Sequence, residues 1–408
     1  MEMKILSYIP DHRIKATNVL VELNIGDYLT IARDIKDEND YQRKKVIKSG
    51  VKDQLKSDLL IGCTIPPIVL GIKESSLDKV IDYKSFSDNK FIQNEFNDRN
   101  VIILDGLQRT YVLIEIQDEL KKNKSKPEVL QKFLDQKIRC EIYVGLRKLG
   151  ILYRMLTLNT GQTTMSTRHL MEILYLDYLE IDFDGKKLVR DKEDRQVKHD
   201  LTEYKFKEII DGYYSYIEGK EVPLPRADIL DNIQTLKELE QTDEQKEDFK
   251  VFFEFYDVLM KKIIELSDGY TYNAEDHSIS EFILSGQPFG KSALLFFKKS
   301  QPLTGLGAAL FFVKKHRDLP INKISPKINE ITLSGQRSGK EIFRLLNKQF
   351  DFIRNKSKKI GNDQRYFFKI LFKTLFDPES ESYLLLDKSQ DIAFKRIRER
   401  LEDTSEWD

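Results

Sequence analysis

The stretch from Val101 to Ile116 reads Val101-Ile102-Ile103-Leu104-Asp105-Gly106-Leu107-Gln108-Arg109-Thr110-Tyr111-Val112-Leu113-Ile114-Glu115-Ile116, and its character changes in the middle. Four consecutive apolar residues predict a buried strand, Asp105-Gly106 a turn, and Gln108 onward a helix that runs into the charged tail Lys121 to Lys126. A helix that starts directly after a strand presents unpaired N–H groups and the positive end of its dipole, which suits an anion. Gly106 lets a ligand approach the backbone, and Arg109 can fork onto phosphate oxygens. Asp105 cannot hold a bare phosphate. Its roles would be an N-cap, a ligand of a phosphate-bound metal, or an acceptor from a ribose hydroxyl. The plain alternative is a turn with a surface arginine.

Outward from this segment, Ile65-Pro66-Pro67-Ile68-Val69-Leu70-Gly71-Ile72 combines a Pro-Pro entry with a β-branched run and predicts another buried strand. Between Tyr41 and Leu60 the residues Val46, Val51, Leu55, Leu59 and Leu60 recur at helical spacing, with an end near Gly62. Val19 to Val21 with Leu23 suggests a short strand, and Ile25 to Leu29 the start of another element. Asp82 to Asn100 is polar and reads as a loop. After Pro127 a short helix leads to Ile138-Arg139-Cys140-Glu141-Ile142-Tyr143-Val144, whose alternation marks a half-exposed strand. The order predicts an α+β domain with a small mixed sheet.

Helices dominate after Leu149. Phe252 to Leu259, Ala293 to Phe297, Leu306 to Phe312 and Tyr366 to Phe372 are aromatic-rich stretches expected to pack as core rather than as base-stacking platforms. The charge-dense run Asp184 to Asp200 reads as a linker or hairpin. The expected division is therefore an N-terminal domain over 1–185 and a mainly helical domain over 186–408.

Lys plus Arg and Asp plus Glu both number 67 in 408 residues, so the totals carry no general affinity for nucleic acid, and any DNA contact needs a local basic patch. With 40% hydrophobic and 33% charged residues the chain has enough apolar material for a core. The two cysteines, Cys63 and Cys140, have no partner at metal-ligand spacing and read as reduced thiols. The opening MEMKILSYIP lacks a basic region followed by a long apolar run, and no window approaches the roughly 18 apolar residues of a membrane span. A cytoplasmic protein without membrane contact is expected.

Leu104-Asp105-Gly106-Leu107-Gln108-Arg109-Thr110 resembles the Asp-Gly-Gln-Gln-Arg motif of the N-terminal domains of GmrSD-type restriction proteins, and the related Asp-Gly-Gln-His-Arg motif of DndB-type proteins. Both belong to the ParB/sulfiredoxin superfamily. Three flanking segments fall in the same order: Tyr41-Gln42-Arg43, Ile65 to Leu70, and Leu158-Asn159-Thr160-Gly161-Gln162-Thr163. The resemblance covers about Tyr41 to Leu174. It implies a ParB/sulfiredoxin-like domain whose nucleotide pocket groups Arg43, Gly106, Leu107, Gln108, Arg109, Thr110, Asn159, Thr160, Gln162 and Arg168. It also implies a nucleoside triphosphate with Mg²⁺ on Asp105, and weak hydrolysis in which Asp105, Gln108 and Arg109 would take part. Leu107 stands where the restriction-type motif has its first glutamine, which favours binding over hydrolysis. No His-Asn-His nuclease cluster can be assembled from the five histidines, and His169 reads as a packing residue rather than a general base.

The expected function is thus a nucleotide-binding protein of a prokaryotic anti-phage defence or DNA-modification system, acting with other proteins of that system. The alternatives are a DNA-binding regulator of DndB type, using Arg190 to Lys198 or Arg354 to Arg365 as its basic face, and a nuclease. An internal echo, Leu284-Ser285-Gly286-Gln287-Pro288-Phe289-Gly290-Lys291 and Leu333-Ser334-Gly335-Gln336-Arg337-Ser338-Gly339-Lys340, evokes a phosphate loop. Gly286 and Gly290 are one residue too close for that pattern, so both segments are expected to be loops between helices.

Overall fold

A computed structural model describes residues 3–38, 49–73, 101–122, 127–158, 175–190, 197–222, 243–273 and 282–403. The chain divides into two compact units, Met1–Ser166 and Thr167–Asp408. The charge-dense run that sequence reading takes as the boundary falls inside the second of them.

The first unit contains a five-stranded mixed sheet. Its elements are β1 (Met3–Asp11), β2 (Ala16–Asn24), α1 (Ile25–Glu38), α2 (Ser49–Leu60), β3 (Ile68–Lys73), β4 (Val101–Asp105), α3 (Leu107–Lys122), α4 (Pro127–Leu134), β5 (Lys137–Leu146) and α5 (Lys148–Leu158). The strands lie in the order β1-β2-β5-β3-β4, with β3 parallel to β5 and the other neighbours antiparallel. Register aligns Val19, Ile142, Leu70 and Ile103 in one row across four strands. That row belongs to the core, because a strand shows alternate residues to opposite faces. Tyr28, Leu29 and Ala32 of α1, Leu59 of α2, Leu107, Val112 and Leu113 of α3 and Phe133 of α4 close over it. Each fully buried aromatic or aliphatic side chain of this layer contributes roughly 1.5–3 kcal/mol of transfer free energy.

The other face is covered differently. Ile151, Leu152 and Met155 of α5 are buried there, and α5 packs on β4 and β5. The row Asn18, Tyr143, Gly71 and Ile102 runs on this face, polar at its β2 end and apolar at its β4 end. β1, an edge strand, is largely exposed, and its Tyr8 and Ile9 reach solvent.

In the second unit, β6 (Lys187–Val189) pairs in parallel with β7 (Glu203–Lys205). Part of the run read as a linker or hairpin is therefore packed structure: Leu188, Val189 and Arg190 are buried, and Lys186 meets the buried carboxylate of Asp257 at 3.1 Å. Parallel pairing also rules out a hairpin between these two strands. The helices are α6 (Phe206–Glu218), α7 (Asp243–Leu266), α8 (Ala293–Phe297), α9 (Ser300–Arg317), α10 (Ile321–Ile324), α11 (Gly339–Lys356), α12 (Ile360–Phe376) and α13 (Leu386–Asp403). The aromatic-rich stretches pack inward. Phe252, Phe296, Phe367 and Phe368 are fully buried, and Phe296 meets Phe350 edge-on with ring centroids 5.1 Å apart. Among the described residues no helix is long and apolar enough to cross a membrane.

Candidate functional site at the junction of β4 and α3

β4 ends on Asp105, and Gly106 makes the bend into α3 with φ +94°, a conformation that favours glycine. A side chain there would also crowd Ile68, whose Cγ2 lies 3.2 Å from the position of an added Cβ. The first ladder bond of the helix runs from the Thr110 N–H to the Gly106 carbonyl at 2.9 Å, so the N–H groups of residues 107–109 lie ahead of the ladder. Gly106 thus aims the positive end of a 16-residue helix at the end of a strand.

Arg109 and Asp105, one helical turn apart, form an ion pair at 2.5 Å, with side chains 16% and 18% exposed. The same guanidinium donates to the Pro66 carbonyl at 2.5 Å and the Pro67 carbonyl at 3.0 Å. The Pro-Pro entry of β3 lacks N–H donors but keeps two acceptors, and Arg109 ties both to the motif. Arg109 is therefore first a clamp between β3 and β4, and a phosphate at the helix start would share it with these carbonyls.

The other motif residues separate by helical position. Leu107 is buried in the core, and Thr110 is wholly buried, its hydroxyl donating to the Gly106 carbonyl at 3.0 Å and lying 2.6 Å from the Tyr28 hydroxyl. Neither side chain lines the junction as the motif implies, because the helical turn points both into the core. Gln108 is half-buried in the first turn. The junction thus brings together Asp105, Gly106, Gln108 and Arg109. Arg43, Asn159, Thr160, Gln162, Arg168 and His169 lie outside the described residues, as does the loop Asp82 to Asn100.

Sequence reading missed Tyr28, although a signal existed. Leu107, Thr110, Ile114 and Gln117 share a helical face at i, i+3, i+7 and i+10, and all four are buried. Burial pushes the Tyr28 hydroxyl well above the usual phenol range, and it pushes the Cys140 thiol up to about 12. Cys140 is a core residue, and Cys63 is exposed.

Among the described residues no three His, Cys, Asp or Glu side chains gather as metal ligands. Asp105 is the one carboxylate of the motif, and Arg109 already engages it.

The two echo loops have a structural use. The N–H and hydroxyl of Ser285 donate to the Asp351 carboxylate of α11 at 2.8 and 3.0 Å, and those of Ser334 donate in the same way to Asp387 of α13. Arg354 donates to the Gln287 carbonyl at 2.8 Å, and Arg337 forks onto Asp391. The residues that imitate a phosphate loop are thus serine latches onto helices. The candidate basic faces are partly consumed in the same way: Arg190 is buried, Arg354 serves its latch, and Arg365 is buried and donates to the Gly361 carbonyl.

Comparison with known proteins gives no match: no family model fits the chain, and neither a curated protein nor a solved structure resembles it significantly.

Proposed function

We propose that the first unit binds a nucleotide, with its phosphates at the N-terminus of α3. The observation that carries this reading is Gly106 at φ +94°, which joins a buried strand to a long helix beside a partly exposed Asp105–Arg109 pair. Backbone N–H groups and the helix dipole attract phosphate there, and Arg109 turns part of its fork from Asp105 to the incoming oxygens. Asp105 then accepts from a ribose hydroxyl or from ligand-bound water. The order of motifs in the sequence supports a ParB/sulfiredoxin-like unit of a prokaryotic defence or DNA-modification system, with the helical unit relaying the bound state to a partner. Binding, not hydrolysis, is the activity proposed, since the motif supplies one carboxylate, Asp105, and Arg109 already engages it.

Calorimetry of the full chain with nucleoside triphosphates, with and without Mg²⁺, tests this. Wild type is expected to bind at micromolar to millimolar concentration. Arg109→Lys, which keeps the charge and loses the fork, is expected to weaken binding about tenfold. Absence of binding to wild type, or equal binding by the variant, removes the assignment.

A further inference from the structure

On the face of the sheet opposite the core, β1, β2, β5 and α5 enclose a cleft of about 520 Å³. Its size falls in the range of small-molecule sites. The wall is set by Gly150, where an added Cβ would stand 3.3 Å from Ile14 Cβ, so that α5 seats against the turn between β1 and β2. One helical turn later, Arg154 reaches over the cleft. It pairs with Asp11, and its guanidinium carbon lies 4.8 Å from the centroid of the Tyr143 ring. Across from it Asn18 donates to one oxygen of Glu141 at 3.1 Å. These contacts fix the polar groups before any ligand arrives, which lowers the cost of ordering them on binding.

The tethers leave capacity unused. Arg154 has five N–H donors and gives one to Asp11, while its buried Nε has no acceptor among the described residues. Asn18 occupies one oxygen of Glu141, whose carboxylate takes no other donor among the described residues. A ligand that fits offers an acceptor to Arg154 and adjacent N–H donors to Glu141. Asp11, Glu141 and Arg154 sum to one negative charge, which disfavours a phosphate in the cleft itself.

The cleft is also placed to serve the junction of β4 and α3. Register puts Leu20, Glu141, Val69 and Asp105 in one cross-strand row, so Glu141 lies two strands from Asp105, roughly 10 Å at the usual strand spacing. That separation is comparable with the reach of a nucleotide from base to phosphates, and Val69, between the two in the row, is buried, so the ribose would have to span a covered strand.

We propose that this cleft holds the base of the bound nucleotide and selects guanine, with O6 accepting from Arg154 and the N1–H and exocyclic amine donating to Glu141. This rests on the nucleotide reading above and names its base. Adenine presents an amine where guanine presents O6 and lacks the N1–H, so both contacts are lost. Pyrimidine bases offer no equivalent pair of neighbouring N–H donors beside a carbonyl at the same reach.

The test is calorimetry on the full chain with guanosine, adenosine, GTP and ATP, for wild type, Glu141→Gln and Arg109→Lys. Glu141→Gln keeps an acceptor for Asn18, and its melting temperature checks the fold. The expected result is guanosine binding at least tenfold tighter than adenosine. Glu141→Gln should lose that preference, while Arg109→Lys should lower only the extra affinity that GTP has over guanosine. Equal binding of GTP and ATP with a loss in Arg109→Lys overturns the base assignment and leaves phosphate binding standing. Guanosine binding that the triphosphate does not strengthen keeps the cleft and overturns the phosphate site. If guanosine does not bind, or binds Glu141→Gln as well as wild type, the guanine proposal is wrong.

Discussion

The two faces of the five-stranded sheet solve different problems with the same strands. One face carries the row Val19, Ile142, Leu70 and Ile103 under four helices and excludes water. The other places Asn18 and Glu141 beside a cleft, and only α5 among the described helices gives it apolar cover. Adjacent residues of β5, Glu141 and Ile142, thus face the cleft and the core, separated by the pleat, a distance of one residue.

Substitutions on the two faces should therefore differ sharply. The largest effect is expected for Phe133→Ala on the dry face, about 3–5 kcal/mol lost from the first unit, since its ring is wholly buried. Hydrogen exchange of the α3 amides reads this loss. Next comes alkaline pH. The Cys140 thiol stands at about 12 in the folded unit and near 9 when unfolded, so the native state binds more protons between those values. Its contribution is intact below about pH 9 and falls as pH rises toward 12, with Tyr28 acting in the same direction. A thiol reagent at pH 8 should accordingly modify Cys63 and spare Cys140 until denaturant is added; rapid reaction of both thiols in the native protein would contradict the packing of this face.

A smaller loss, about 1–3 kcal/mol, is expected for Thr110→Val, which leaves the buried Tyr28 hydroxyl without its partner at 2.6 Å. Tyr28→Phe combined with Thr110→Val should restore part of the loss, and a double-mutant cycle measures the coupling. The smallest effect belongs to the wet face. Asn18→Ala removes part-buried hydrogen bonding to Glu141 and Tyr143 and should change stability by about 1 kcal/mol, seen as a small shift of the urea midpoint. A large loss there would mean that the cleft is structural rather than a site.

Much of the first unit was legible in the sequence because its elements carry strong local signals. Val101 to Leu104 and Ile68 to Ile72 are apolar runs bounded by turn residues, and β5 shows its alternation directly. β1 was not legible, since an exposed edge strand has no reason to alternate. β6 and β7 are three residues each, too short for any period. At the junction the glycine bend could be read from Asp-Gly, whereas the clamp of Arg109 on Pro66 and Pro67 could not. It depends on β3 and β4 being neighbours, which only the register decides. The cleft was invisible for the same reason: Asp11, Asn18, Glu141 and Arg154 span most of the first unit and meet only once the sheet is assembled.

The position of β5 also orders events on the ribosome. The β1–β2 hairpin and the β3–β4 pair can each close as soon as they are made, yet both need β5 as their common neighbour. Until Lys137 to Leu146 emerges, the nascent chain holds two half-sheets with unpaired inner edges, the kind of surface that sticks to other chains. Emergence of Lys137–Leu146 supplies the missing neighbour of both half-sheets. A ribosomal pause before Lys137 would prolong the exposed state.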